Sequence, residues 1–280
     1  MSKNNFNVES SELGKKSEYA AHYNPDKLFP IPRQAKRQEI GIDSGKLPFH
    51  GFDCWNHYEV SWLNENGKPV VAMAEIIYSS DSTHIIESKS MKLYFNSFNN
   101  TKFKNHHVVA EIIKRDFEPR VGGEVLVTIT PLSEMQDQVI HARLSGESID
   151  HLDVVCDIYT VSPELLVVEN LVVTETLCSD LLKSNCLVTS QPDWGSVQIT
   201  YTGKKINRES LLKYIVSFRN HDEFHEQCIE RIFVDIMRIC QPECLAVYGR
   251  YTRRGGLDIN PYRSSTPVPS PFKQWRLCRQ

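Results

Sequence analysis

The most constraining feature of this chain is a repeat. Tyr94-x-x-Ser97-Phe98-x-Asn100 recurs as Tyr214-x-x-Ser217-Phe218-x-Asn220, an offset of 120 positions. At that offset Val108, Val109, Ile112 and Ile113 fall on Cys228, Ile229, Ile232 and Phe233. Apolar residues spaced this way line one face of a helix, so a helical unit recurs together with its buried face. The chain therefore reads as two related halves. Strand signals flank the helices. Tyr58 to Trp62, the turn Asn64-Glu65-Asn66-Gly67 and Val70 to Tyr78 predict a hairpin, with Asn-Gly suited to the tight turn. Helical stretches follow at about Ser90 to Phe98 and around Val108 to Ile113, then a strand from Glu124 to Ile129. The second half repeats the order. A strand from Ser196 to Thr202 leads into a turn at Gly203-Lys204-Lys205, a helical stretch from about Glu209 to Phe218, and a longer helix from about His221 to Cys240. Asn220 is expected to cap that helix, with Glu223 in capping-box position. Cys244 to Tyr251 reads as a closing strand. The expected class is α+β, with antiparallel sheets and helices on one face, in β-β-α-α-β-β units.

With 280 residues, 40% hydrophobic and 24% charged, the chain can bury a sizeable core. Lys plus Arg is 32 against 35 Asp plus Glu, a net charge of −3. That balance lacks the basic footprint of a nucleic-acid binder. No apolar run approaches the roughly 20 residues of a membrane span, and Met1 to Lys16 is polar. A cytoplasmic location is expected, with the eight cysteines kept as thiols. Residues 1–45 read as an arm: Pro25, Pro30 and Pro32 keep it extended, and Leu28, Phe29 and Ile31 pin it down. Residues 46–165 form the N-terminal half with an acidic connector, and 166–280 the C-terminal half.

The halves differ in chemistry. In Cys186-Leu187-Val188-Thr189-Ser190-Gln191-Pro192-Asp193-Trp194, a cysteine precedes an aspartate by seven positions. A thiolate is a nucleophile, and an aspartate desolvated between a proline and an indole can donate a proton. A buried structural thiol and a turn aspartate would give the same pattern. The apolar stripe Ile229, Ile232, Ile236, Ile239, extended backwards, lands on His225, with Glu226 beside it and Phe224 before it. Such a His-Glu pair suits a polar heterocycle, the glutamate accepting from a guanine-like N–H pair and Phe224 stacking on the ring. A core histidine bonded to one backbone carbonyl is the plainer alternative. In the first half, Glu87-Ser88-Lys89-Ser90-Met91-Lys92 sets two lysines on one helical face, suited to phosphate or simply solvated. Arg250-Tyr251-Thr252-Arg253-Arg254-Gly255-Gly256 could hold a phosphate or be only a basic turn. There is no G-x-G-x-x-G fingerprint. Cys240-x3-Cys244 and His225-x-x-Cys228 are poorly spaced zinc fragments, so no metal is expected.

These motifs together resemble the bimodular 7-cyano-7-deazaguanine reductases, nitrile reductases of the queuosine pathway of tRNA modification. The resemblance runs over nearly the whole chain. It includes the arm Tyr23 to Arg33, Glu87 to Lys92, Cys186 to Asp193, His225-Glu226, and Gly249 to Pro261. Proline and glycine are common in the family at the places of Leu187 and Ser190. The tail after Ser265 has no counterpart. The resemblance implies a tandem tunnelling fold, akin to GTP cyclohydrolase I without its zinc. It implies that Cys186 adds to the nitrile to give a thioimide and that Asp193 protonates the nitrogen. Ile86, Glu87, Ser88, His225 and Glu226 would bind the deazaguanine, and Ser88, Lys89, Arg254 and Gly255 would bind NADPH. A homodimer or larger homo-oligomer is expected. A zinc-dependent pterin or purine cyclohydrolase of the same fold, or a non-catalytic purine-binding module, are the alternatives.

Overall fold

The computed structural model describes residues 22–43, 45–137, 139–269, 272, 274 and 276–280. The polar stretch Met1 to Lys16 and the first part of the arm lie outside them. Along the chain run β1 (Pro30–Pro32), α1 (Gln34–Glu39), β2 (His50–Leu63), β3 (Pro69–Ser79), β4 (His84–Ile86), α2 (Ser88–Asn96), α3 (His106–Val121), β5 (Val125–Pro131), β6 (Ile140–His141) and β7 (Glu147–Ser148). There follow β8 (Val168–Asn185), β9 (Pro192–Ile206), α4 (Arg208–Ser217), α5 (His225–Cys240), β10 (Cys244–Tyr251), β11 (Leu257–Ser264) and β12 (Arg276–Leu277). The class is α+β. Two compact units emerge, one of Met1–Arg33, Cys54–Asp137 and Arg254–Leu257, the other of Gln34–Asp53, Gln138–Arg253 and Asp258–Gln280.

In the first unit the strand order is β5-β3-β2, with β3 and β5 antiparallel. The β2–β3 turn is the Asn64–Lys68 loop, where Gly67 takes φ +79 and donates to Asn64 O. The proline-rich segment pairs as β1 with β4, Ile31 opposite Ile85, and Leu28 and Ile31 are buried. Proline holds this short strand extended but cannot donate from its nitrogen, so the pairing is confined to three residues.

In the second unit the order is β11-β10-β9-β8-β7. Val197, Ile199 and Tyr201 of β9 join Leu211, Ile215, Ile229, Ile232 and Phe233 of the helices in one core. The intervening β9 residues carry a polar face, on which Thr200 and Thr202 bond to Thr176 and Thr174. Alternation thus buries one face of the strand under helices and leaves hydroxyls on the other. Gly203, expected in a turn, lies inside β9. A Cβ there would stand 2.8 Å from Pro242 Cα, so this glycine permits a close backbone approach and the strand continues to Ile206.

The structure explains the repeat and corrects its register. Tyr94 Oη donates to Asp116 Oδ2 at 2.8 Å, and Tyr214 Oη to Asp235 Oδ2 at 2.8 Å. Ser97 and Ser217 each donate back to the tyrosine's carbonyl at 2.6 Å. The first helices match at an offset of 120, but the aspartates are 119 apart. Val109, Ile113, Asp116, Phe117 and Val121 of α3 then fall on Cys228, Ile232, Asp235, Ile236 and Cys240 of α5, and all ten are buried. At 120, exposed Val108 would have matched buried Cys228. The link between the helices is one residue shorter in the second half, and the neighbouring apolar pairs on each helix hid the slip.

A buried ionic cluster ties the second unit together. Glu230 of α5 accepts from Arg37 of α1 at 2.7 and 3.0 Å and from Arg263 of β11 at 2.9 Å. Arg263, fully buried, also meets Asp53 at 2.8 Å and donates to Phe52 O. Glu230→Ala leaves two buried guanidiniums short of an acceptor. It should lower the unfolding free energy by about 3–5 kcal/mol in urea titrations, and a loss under about 1 kcal/mol would contradict this role.

Candidate active site

The Cys-x6-Asp spacing is a hairpin. β8 and β9 are antiparallel with Ser184 opposite Asp193 and Asn185 opposite Pro192. The pairing runs one step further, Cys186 N donating to Gln191 O at 2.8 Å, and Ser190 N to Cys186 O closes the loop. Side chains alternate along a strand, so Cys186 and Ser184 share a face. Asp193 is then a diagonal cross-strand neighbour of Cys186 on that face. Both are buried, each 5% exposed. Ser190 takes φ +52, a left-handed conformation that favours glycine. This is the place where glycine is common in the resembling family.

The segment before α5 is pinned to the end of β8. Asn185 N donates to His221 O at 2.8 Å and Glu223 N to Asn185 O at 3.0 Å, a parallel bridge centred on Asp222. This pairing is incompatible with helical residues at 221–223. The helix expected from about His221 therefore begins at His225, and Asn220 closes a 3-10 turn instead of capping it. Glu223 is no capping-box residue either. Its carboxylate takes a fork from Arg231 at 2.8 and 3.0 Å and meets His221 Nε2 at 2.8 Å. Burial alone would raise its pKa, but the hydrogen bonds and charges of His221 and Arg231 prevail and pull it from 4.5 to about 2.

Starting α5 at residue 225 puts His225 Nε2 3.7 Å from Asp193 Oδ1. The imidazole stands perpendicular to the Tyr251 ring at 4.1 Å. Glu226 and Phe224 are buried, at 1% and 8% exposure. The second unit thus gathers Cys186, Asp193, His225 and Glu226 where two strand ends meet a helix start. His221, Glu223 and Cys228 also offer ligand atoms within 4.8 Å of one another. The Arg231 fork already engages both oxygens of that carboxylate. Neither zinc fragment suggested by spacing is this cluster.

The first unit holds the remaining residues of the sequence reading. Glu87, fully buried, caps α2: Oε1 accepts from Lys89 N at 2.6 Å and Oε2 from Ser90 N at 2.7 Å. Burial raises its pKa against those bonds and the charges of Lys92 and Lys89. The arm sets its position, since Glu87 N donates to Phe29 O and Phe29 N to Ser90 Oγ. Ile86 is buried behind it, and Ser88 and Lys89 are half-buried. Arg254 to Leu257 is a tight turn closed by Arg254 N to Leu257 O, with Gly255 at φ +61 and Gly256 at φ +76. Two positive φ values in succession make it a type I′ turn, which favours glycine at both places. A Cβ on Gly255 would stand 2.9 Å from Lys92 Nζ, so turn and lysine lie side by side. His57 bonds Gly256 O at 2.8 Å, and burial lowers its pKa to about 4 against that bond, with Lys92 adding to the lowering.

The three arginines near the C-terminus do not act alike. Arg250 is buried, bonded to Gln280 Oε1, Tyr248 Oη and Gln274 Oε1, and Arg253 donates to Gln280 O. Only Arg254 belongs to the turn beside Lys92. Arg250 ends inward because both faces of β10 are covered from Val247 to Tyr251, and its guanidinium is taken there by Tyr248, Gln274 and Gln280. Tyr251 received no role from the sequence, nor did Arg231. The signal for Tyr251 is a pair of small neighbours, Gly195 opposite it on β9 and Gly249 two residues before.

Two family models match the chain: "Nitrile reductase, 7-cyano-7-deazaguanine-reductase N-term" over residues 19–129 and "QueF-like protein" over residues 192–269. Curated relatives are similar over almost the full length. A protein of Legionella pneumophila (strain Lens) is 62% identical over 270 residues, covering 96% of this chain and 95% of the relative. One from Ralstonia nicotianae is 55% identical over 266 residues, covering 94% and 96%. One from Cupriavidus metallidurans is 54% identical over 275 residues, covering 97% and 99%. Each bears the name NADPH-dependent 7-cyano-7-deazaguanine reductase.

Two outcomes follow from this geometry. Ser190→Gly removes the left-handed penalty at the loop and should raise stability by up to about 1 kcal/mol, read as a higher Tm. A lower Tm would contradict the conformation. The lowered Glu223 pKa means its stabilisation is complete above about pH 4.5 and disappears as pH falls through about 2. That contribution is on the order of 3 kcal/mol. Urea titrations of Glu223→Gln between pH 2 and 6 should therefore show a flattened acid limb. An acid limb as steep as that of the parent would contradict it.

Proposed function

This chain belongs to the 7-cyano-7-deazaguanine reductase family, and from that premise we infer that it reduces the nitrile of 7-cyano-7-deazaguanine to the aminomethyl group with NADPH, a step toward queuosine in tRNA. The observation that carries the reading is the hairpin that puts Cys186 and Asp193 diagonally across one buried face, with His225 3.7 Å from Asp193. We read the β-β-α-α-β-β order as a tandem tunnelling fold that assembles into a homodimer or larger.

Reducing –C≡N to –CH2NH2 takes four electrons, that is, two hydrides in succession. The Cys186 sulfur attacks the nitrile carbon, forming an S–C bond as one C–N π bond breaks. Asp193 gives its proton to the nitrogen, leaving a thioimide. The thiol proton of Cys186 can restore Asp193, so the addition neither gains nor loses a proton. His225 and Glu226 bind the deazaguanine: the buried carboxylate accepts from its N–H groups, and Phe224 beside them offers a ring face. Glu87, whose oxygens the α2 amides hold in place, has further lone pairs for the same kind of bond, and Ile86 and Ser88 flank it. Once the thioimide carbon has taken the first hydride, the S–C bond breaks to release Cys186 and leave an imine. The second hydride reduces that imine to the amine, each hydride matched by one proton. Burial of Cys186 and Asp193 limits the water that would hydrolyse the imine.

The residues of the first unit fit an anionic dinucleotide. Gly255 leaves room for Lys92 to approach the Arg254 turn, and Ser88 and Lys89 open α2. Arg254 and Lys89 suit phosphate, and Ser88 and the Gly255 backbone offer hydrogen bonds. NADPH, when bound, supplies the hydrides.

Mixing the protein with 7-cyano-7-deazaguanine in the absence of NADPH should add the mass of one nitrile molecule. Cys186→Ala should show no adduct, and Asp193→Asn should form it on the order of 10²–10⁴ times more slowly while still binding the base. No adduct and no NADPH oxidation at neutral pH would overturn the function. Loss of base binding in Asp193→Asn would make Asp193 an anchor instead of an acid.

A further inference from the structure

We propose that Tyr251 is a positioning residue whose ring holds the His225 imidazole against Asp193. The proposal rests on the reading that His225 and Asp193 serve the nitrile reaction. Tyr251 is the last residue of β10 and is 1% exposed. Its ring sits in a slot made by missing side chains. Gly195 lies directly opposite on β9, and a Cβ there would stand 3.1 Å from Cδ1 and Cε1 of the ring. A Cβ on Gly249 would stand 3.3 Å from Cε2. The backbone at the slot is fixed on both sides, by Thr252 N to Trp194 O at 2.9 Å and by Gln280 Nε2 to Tyr251 O at 3.0 Å.

Against this immobile ring the imidazole stands perpendicular at 4.1 Å, a favoured edge-to-face arrangement. His225 is the first residue of α5, where no preceding helical turn limits its rotamers. The ring therefore supplies the wall that keeps Nε2 3.7 Å from Asp193 Oδ1. The Tyr251 hydroxyl keeps its proton: burial raises its pKa well above the usual value, and Cys228, Asp193 and Glu226 add to the rise. Tyr251 thus contributes shape and no charge. The aromatic face carries the role, and the hydroxyl is dispensable.

The test compares Tyr251→Phe, Tyr251→Leu, His225→Leu and the double Leu variant. Tyr251→Phe should keep kcat/KM within about 2-fold of the parent, and Tyr251→Leu should lower it by about 10- to 100-fold. In the His225→Leu background, Tyr251→Leu should add less than about 2-fold, because its effect passes through the imidazole. Should Tyr251→Leu fail to fold, Gly195→Ala presses a methyl on the same ring and should lower kcat/KM in the same direction. A second readout needs no turnover: in crystal structures the His225 imidazole should leave its 3.7 Å approach to Asp193 in Tyr251→Leu and keep it in Tyr251→Phe. An imidazole that keeps its place in Tyr251→Leu, or effects of the two Leu variants that multiply, would overturn the proposal. A parent protein that forms no nitrile adduct would overturn the function, and the place of the imidazole in Tyr251→Leu would still decide whether the ring holds it.

Discussion

Everything chemical in the second unit depends on the pairing of Asn185 with the segment His221 to Glu223. A strand end normally splays once its ladder stops. Here both backbone groups of Asn185 are taken by that segment, which brings the residue before Cys186 to the start of α5. Two backbone bonds alone contribute only about 1 kcal/mol each. The buried Glu223–Arg231 fork is the larger hold, since breaking such a pair costs about 3–5 kcal/mol. A carboxylate and a guanidinium outside the proposed chemistry thus hold the end of β8, and with it Cys186, against the start of α5.

Comparing the halves separates scaffold from chemistry. Ser90 and Ser210 donate to the carbonyl of the residue that caps their helix, and Tyr94–Asp116 and Tyr214–Asp235 tie helix to helix in the same way. The cap itself differs. Asn207 accepts from one amide, whereas Glu87 accepts from two and retains a charge-bearing group at a buried position. Both long helices start with histidine, His106 and His225, followed by His107 in one and Glu226 in the other. The framework recurs, and the groups proposed to react are substitutions upon it.

How much of this was legible follows from the range of each interaction. Helices and hairpins came through because periodicity is local: Tyr58 to Trp62 and Val70 to Tyr78 fall in β2 and β3, and the strand Cys244 to Tyr251 was read to its bounds. The start of α5 lies later than expected because Asn220 and Glu223 have the spacing of a capping box but find other partners. Asn220 N donates to the distant Tyr159 O, and Glu223 pairs with the distant Asn185 and, through its carboxylate, with Arg231. Gly203 looked like a turn because Pro242, the reason for a glycine there, is distant in sequence. Arg250 looked available for phosphate because nothing local reveals that Gln274 and Gln280 return to it. Cys186, Asp193, His225, Glu226 and Glu87 were picked out by motif. Their mutual geometry needed the register of β8 with β9.

The most direct test is a crystal structure of the protein with 7-cyano-7-deazaguanine and no NADPH. The account predicts continuous density from Cys186 Sγ to the former nitrile carbon, with Asp193 at the nitrogen and Asn185 still paired to His221 and Glu223. An unmodified Cys186 with the base bound elsewhere would contradict it.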